Sequence, residues 1–230
     1  QNCIAYKNGY DLDENGKEIN AGNGNGFKMG GDSLPGNHKL YNSFAFDNKA
    51  KGLDSNSGPN IEFYNCTSFN NGGSNVALYT NDRPDTAYVV DGVVSFRTKA
   101  MDVSENFKLK GTQDQSKVYG VNNYFYDTAA QTGANSEGKK VDASWFVNTD
   151  STTDVLTRNA DGTINMNGFL QLTDAAAAGS GAVMGGTPNA DYSARLAALQ
   201  ALDAEKAPEP TEAPAEPTTA PEATVAPTEA

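Results

Sequence analysis

Lys28 stands in the run Gly22-Asn23-Gly24-Asn25-Gly26-Phe27-Lys28-Met29-Gly30-Gly31, which is almost all Gly and Asn around one Phe, one Met and one Lys. Glycine allows close backbone approaches that other residues forbid, so this amine is presented on a bare surface against which a bulky ligand can lie. Unprotonated, it is a base; protonated, it is a cation for an acidic ligand. The spelling Asn25-Gly26-Phe27-Lys28 returns as Lys51-Gly52-Leu53-Asp54, which sets Asp54 where Lys28 stood and suggests a carboxylate that positions the amine and holds its charge. Lys39, Lys49, Lys51 and Arg83 are candidate cations for an acidic ligand, with the alternative that they are ordinary surface charges. His38, the only histidine, follows Gly36-Asn37 and has no Ser or Cys nucleophile context. It reads as a corner residue bordering a binding face. Asp11-Leu12-Asp13-Glu14-Asn15-Gly16 matches the first half of an EF-hand loop, but the twelfth place is Gly22 and no flanking helices are evident. Asp11, Asp13 and Asn15 are thus weak calcium candidates, and a polar insertion between repeats is the better reading.

These residues need a scaffold that repeats. Asn2-Cys3-Ile4-Ala5-Tyr6-Lys7-Asn8, Asn42-Ser43-Phe44-Ala45-Phe46-Asp47-Asn48 and Asn65-Cys66-Thr67-Ser68-Phe69-Asn70-Asn71 are copies of one another, with a weaker fourth beginning at Asp91. Spacings in the range of about 20 to 50 residues mark stacked repeats, and the longer first interval leaves room for an inserted loop. Each copy alternates like a short strand, and Asn and Gly between copies supply corner conformations. The expected fold is all-β, a right-handed parallel β-helix over 1–190 with Asn, Tyr/Phe and Cys/Ser ladders inside; an antiparallel sandwich would not repeat its sequence. Tyr119 to Tyr126 and Trp145-Phe146-Val147 read as further coils and a closing segment. Cys3 and Cys66 sit two coils apart, about 9.6 Å from the strand spacing, beyond the roughly 7 Å reach of a disulfide. Two free, buried thiols are expected.

Tyr192, Leu196, Leu199 and Leu202 recur at helical spacing, giving an amphipathic helix over 191–206. From 207 to 230 the chain is Pro, Thr, Glu and Ala with Val225 as the one sizeable apolar residue and no aromatic, the composition of a disordered linker. The formal net charge is −12, half of it from residue 203 onward. The body is therefore mildly acidic and has no electrostatic footprint for nucleic acid. No apolar run approaches the length of a membrane span. The chain opens inside a repeat and closes inside a linker, so it reads as an N-terminally truncated β-helix from a longer protein, and as a monomer.

Gly-Asn-Gly-Phe-Lys-Met-Gly-Gly, with Asn37-His38, Asn42-Ser43-Phe44-Ala45-Phe46, Ala50-Lys51-Gly52-Leu53-Asp54 and Tyr64-Asn65-Cys66-Thr67, resembles polysaccharide lyase family 9. The resemblance covers residues 1 to about 172, and includes Arg158-Asn159-Ala160-Asp161-Gly162 and Phe169-Leu170-Gln171-Leu172. It implies a secreted, calcium-dependent pectate lyase-type enzyme acting on polygalacturonate or a related polyuronate. Lys28 takes the place of the family's Brønsted base, with Asp54, Lys51, Arg83 and His38 as substrate-binding candidates. A lysine base must be unprotonated, which a nearby Ca²⁺ favours and a nearby carboxylate opposes. The family's calcium ligands, in an Asp-Asp-Gly-Phe-Asp pattern on preceding coils, have no counterpart in this sequence. The rival expectation is therefore a non-catalytic carbohydrate-binding or adhesion module, or an inactive fragment in which Lys28 is an ammonium paired to Asp54.

Overall fold

The computed structural model describes residues 1–79, 87–99, 107–109, 118–125, 141–185 and 192–206. Arg83 and the Pro-rich segment 207–230 lie outside the described residues. The chain begins with β1 (Ile4–Tyr6), a hairpin of β2 (Tyr10–Leu12) and β3 (Glu18–Asn20), then β4 (Phe27–Lys28) and β5 (Lys39–Tyr41). The next coil is β6 (Phe44–Phe46), β7 (Leu53–Asp54) and β8 (Glu62–Tyr64), followed by β9 (Thr67–Phe69), β10 (Val76–Leu78) and β11 (Tyr88–Asp91). Then come β12 (Val94–Phe96), β13 (Phe107–Leu109), β14 (Val118–Tyr119), β15 (Tyr124–Phe125) and the helix α1 (Tyr192–Lys206). Leaving out the β2–β3 hairpin, every third strand stacks on its predecessor: β1-β6-β9-β12-β15 form a first sheet, β4-β7-β10-β13 a second and β5-β8-β11-β14 a third, all parallel. This is the expected β-helix.

The corners explain the repeated asparagines. Between the third sheet and the first, Asn2, Asn42, Asn65, Gly92 and Asn122 all have positive φ, from 47° to 65°, a conformation that Asn and Gly tolerate best. The fourth copy is shifted by one residue from the expected alignment: Val94 pairs with Thr67 and Phe96 with Phe69, so Gly92 rather than Asp91 takes the corner. Between the first sheet and the second, Asn8, Asn48 and Asn71 form a ladder. The Asn8 amide donates to Asn48 Oδ1 at 2.7 Å, and the Asn48 amide to Asn71 Oδ1 at 2.8 Å and to the Ala5 carbonyl at 2.9 Å.

Strand alternation divides the apolar residues between two places. Ala45, Leu53, Phe63, Cys66, Val76, Val90, Val93 and Phe125 fill the interior of the coils. The aromatic ladder, expected inside, faces outward instead. Phe44, Phe46, Phe69, Phe96 and Tyr124 lie on the outer face of the first sheet and are buried by residues of the 141–185 segment, including Trp145, Phe146 and Phe169. Phe169 meets Phe46 edge-on at 4.9 Å and Phe69 at 5.9 Å, while Phe146 stacks on Phe96 at 5.7 Å. Trp145 and Phe146 thus cover the solenoid rather than add a coil to it. The same segment is tied to the corner: Asn42 exchanges two hydrogen bonds with the Val183 backbone, and Asn65 and Asn122 donate to the Gly179 and Ala178 carbonyls.

The outer face of the third sheet is covered by α1. Leu199 is buried against Tyr64 and Val89, and Arg195 makes a two-pronged ion pair with Asp91 at 2.8 and 3.0 Å. Leu202, also expected on the apolar face, is 42% exposed. Cys66 is buried and Cys3 exposed, both unpaired as disulfides. Cys3 departs from expectation because it precedes β1, which pairs on one side only. Among the described residues no helix is long and apolar enough to cross a membrane.

Candidate functional site

The outer faces of the first and third sheets are packed under the C-terminal half of the chain; Lys28 and Asp54 lie on the second sheet. Phe27 and Lys28 pair with Leu53 and Asp54, and Ala77 continues the row. Because Phe27, Leu53 and Val76 point into the core, alternation turns Lys28, Asp54 and Ala77 outward. The stacked glycines before the two site strands make this register possible. A Cβ on Gly26 would come within 2.6 Å of the Gly52 carbonyl oxygen, and one on Gly52 within 2.1 Å of Ser68 Oγ. Gly26 and Phe27 donate backbone hydrogen bonds to the Lys51 and Gly52 carbonyls at 2.7 and 2.8 Å, and Met29 donates to that of Asp54 at 2.8 Å. The chain around Lys28 is thereby clamped to the next coil on both sides of the lysine.

Asp54 is fully buried, and three donors hold its carboxylate. The Asn25 amide reaches Oδ2 at 2.9 Å, the Asn56 backbone N–H reaches Oδ1 at 2.9 Å, and Lys51 Nζ reaches Oδ2 at 3.3 Å. Burial pushes its carboxyl above the usual carboxylate range, although Lys51, Asn56 and Lys28 pull the other way. Lys51 also sits 4.6 Å from the centroid of the Tyr79 ring. Burial by itself would lower the Lys51 pKa, but Tyr79 and Asp54 outweigh it and hold the ammonium above its ordinary range.

Lys28 is exposed and, among the described residues, makes no ion pair. The expected Lys28–Asp54 pairing is thus replaced by Lys51–Asp54, because Lys51 enters the same strand from the corner three residues earlier. Asn25 links the two halves: its amide oxygen accepts from the Lys51 backbone N–H at 3.2 Å while its NH₂ group holds Asp54. Sequence reasoning missed Asn25, Asn56 and Tyr79. Asn25 alone had a signal, its place in the Gly-Asn-Gly-Phe-Lys run.

The other candidates are dispersed. His38 is exposed and directly precedes β5 on the third sheet, where its carbonyl accepts from the Glu62 N–H at 3.0 Å. Lys39 is paired with Glu62 at 2.9 Å, and Lys49 donates to the Gly22 carbonyl at 2.9 Å. Asp11, Asp13 and Asn15 belong to the β2–β3 hairpin rather than to a metal loop. Asp13 Oδ1 accepts from the Asn15 and Lys17 backbone N–H groups at 2.9 and 2.8 Å, and Asp11 Oδ1 from that of Leu12 at 2.8 Å. Among the described residues no group of three or more His, Cys, Asp or Glu is placed to hold a metal ion. Asp54 is itself enclosed by donors, one of them a cation. The described side chains therefore do not fit a calcium site, which asks for six or more oxygens.

Residues 1–86 match the family described as Pel9A-like, right handed beta helix region. The chain is 36% identical over 196 residues to pectate lyase L of Paenibacillus polymyxa (strain SC2), an alignment that covers 84% of this chain and 38% of that protein. It is 32% identical over 145 residues to pectate lyase L of Thermoclostridium stercorarium, covering 63% of this chain and 11% of the other. A solved rhamnogalacturonan lyase aligns over 78% of this chain and 43% of its own, with a TM-score of 0.56 and 22% identity, which shows a shared fold. The chain spans less than half the length of these relatives. With its coil register and its Gly-Phe-Lys segment inside the matched region, the chain is a right-handed β-helix that resembles the Pel9A-like family over residues 1–86.

Proposed function

We propose that this β-helix is the catalytic face of a polysaccharide lyase that cleaves a 4-linked polyuronate of the polygalacturonate type by β-elimination, with Lys28 as the base. The observation that carries this reading is the placement of Lys28: exposed, free of ion pairs among the described residues, and fixed by register beside a buried carboxylate on an outer sheet face. In the reaction, Lys28 Nζ takes the proton from C5 of the uronate. The C–H electron pair becomes the C4–C5 double bond, the C4–O bond breaks, and the glycosidic oxygen leaves with its electrons and is protonated by solvent. The carboxylate on C5 makes that proton acidic by taking up the developing charge. Since the described side chains do not fit a calcium site, the steps are assigned to the chain's own groups, and calcium enters as a variable of the assay. The reading extends to an extracellular setting, where such polymers occur.

The test is ultraviolet absorbance of the unsaturated uronide formed from polygalacturonate, with and without calcium, for the chain and for Lys28→Ala. The expected result is product formation that falls at least about 100-fold in the variant, the lower range for loss of a general base. Turnover unchanged by Lys28→Ala would overturn the assignment of the base. Binding of the polymer with no product from either protein would favour the carbohydrate-binding module instead.

A further inference from the structure

The geometry points to Lys51 as the residue that selects an ionised uronate carboxylate, held in place by Asp54 and Tyr79. This deepens the polyuronate reading and rests on it. An elimination at C5 needs two things close together, a base at the C5 proton and a fixed positive charge at the neighbouring carboxylate, where negative charge builds up. Lys28 and Lys51 are both disposed about Asp54, the first by strand register and the second by direct contact. They differ in how they are held.

A lysine side chain is flexible, and ordering one normally costs rotamer entropy. Lys51 is already ordered, with its ammonium 3.3 Å from Asp54 Oδ2 and 4.6 Å from the Tyr79 ring centroid. An ammonium has three donors, and these two neighbours take up two of its directions. The side chain nevertheless keeps 25% of its surface exposed, whereas that of Asp54 has none. Asp54 can fix Lys51 without fully cancelling its charge, since the same carboxylate also serves the Asn25 amide and the Asn56 N–H. The aromatic face holds a cation without adding negative net charge. The result is a preorganised, partly exposed cation beside a lysine that makes no ion pair among the described residues. Lys51 is held above its ordinary pKa, so it carries its charge at the pH at which a uronate is ionised. A methyl-esterified uronate offers no such charge, and the site should discriminate between the two forms.

The experiment measures binding of tetragalacturonate and of its methyl ester to the full chain by titration calorimetry, with Lys51→Gln, Lys51→Arg, Tyr79→Leu and, as a control, Lys99→Gln. Lys99 is also ion-paired, to Asp47 at 3.1 Å, but at a corner of the coil. The chain and Lys99→Gln are expected to prefer the acid by about tenfold, the worth of one charge-assisted hydrogen bond. Lys51→Gln should bring the ratio near one, Lys51→Arg should restore most of it, and Tyr79→Leu should fall between. An undiminished preference in Lys51→Gln would overturn this inference while leaving the polyuronate reading standing. Failure of the unaltered chain to bind either ligand would overturn both.

Discussion

The partner of Asp54 can be established by a double-mutant cycle on folding stability, independently of any turnover. Asp54 and Lys51 are 3.3 Å apart, with side-chain exposures of 0% and 25%. At an effective dielectric of about 20, two unit charges at that distance attract by about 5 kcal/mol. Desolvation of the carboxylate and the partial exposure of Lys51 offset much of this, leaving a coupling of about 1–2 kcal/mol. Asp54→Asn alone should cost about 2–3 kcal/mol, because it removes a buried acceptor and leaves Lys51 beside a neutral amide. Lys51→Gln alone should cost about 1–2 kcal/mol. Lys28→Ala, an exposed change, should lie within about 0.5 kcal/mol of zero and be additive with Asp54→Asn. Urea unfolding of the three single and two double variants near neutral pH gives both couplings. A larger coupling of Asp54 with Lys28 than with Lys51 would refute the placement of the charge and restore the pairing suggested by the spelling of the two repeats.

Further expectations address the scaffold. Phe169→Ala should destabilise the protein by about 3–5 kcal/mol, since it empties a fully buried site and removes two edge-on ring contacts; a loss below about 1 kcal/mol would mean that 141–185 does not cover the first sheet. Asn48→Ala removes the middle rung of the corner ladder and should cost about 2–4 kcal/mol in thermal or urea unfolding, given the donors and acceptors left unmade on Asn8, Asn71 and Ala5. A thiol reagent near pH 8 should label Cys3 in the native protein and Cys66 only after denaturation, because burial pushes the Cys66 thiol up to about 12. The same shift has a signed effect on stability. The unfolded thiol ionises from about pH 9 while the folded one stays neutral to about pH 12, so stability present below pH 9 falls as pH rises through that window, and Cys66→Ser should flatten the fall.

The coil was legible because one corner conformation recurs: a left-handed residue before each strand of the first sheet is spelled Asn at 2, 42, 65 and 122. Where Gly92 takes that role, the alignment slipped by one, because Gly satisfies the same φ without the same letter. The register of Lys28 with Asp54 was legible for a related reason, since the glycines at 26 and 52 are forced by close backbone approach and therefore keep the same spacing from the strands they precede. The ion pair was not legible. Register fixes which Cα atoms are neighbours, whereas a lysine reaching over from the corner is chosen by side-chain length, and Lys51 competes better for Asp54 than the residue directly across the ladder.

The aromatic ladder shows how the site depends on parts of the chain far from it in sequence. Alternation at Phe44-Ala45-Phe46 says only that the two Phe share a face. In a closed coil the small middle residue faces in, and the bulky pair then faces out and must be covered by something else. The cover is the 141–185 segment over the first sheet, as α1 is over the third. On the remaining sheet the outward row reads Lys28, Asp54 and Ala77; Asp54 and Ala77 are buried and Lys28 is exposed. The Lys28, Asp54 and Ala77 row of the second sheet and the aromatic row of the first are thus two consequences of the same alternation. They differ in how they are satisfied: the row of the first sheet is covered by apolar residues of the 141–185 segment, whereas that of the second holds a buried carboxylate met by polar donors from Asn25, Lys51 and Asn56.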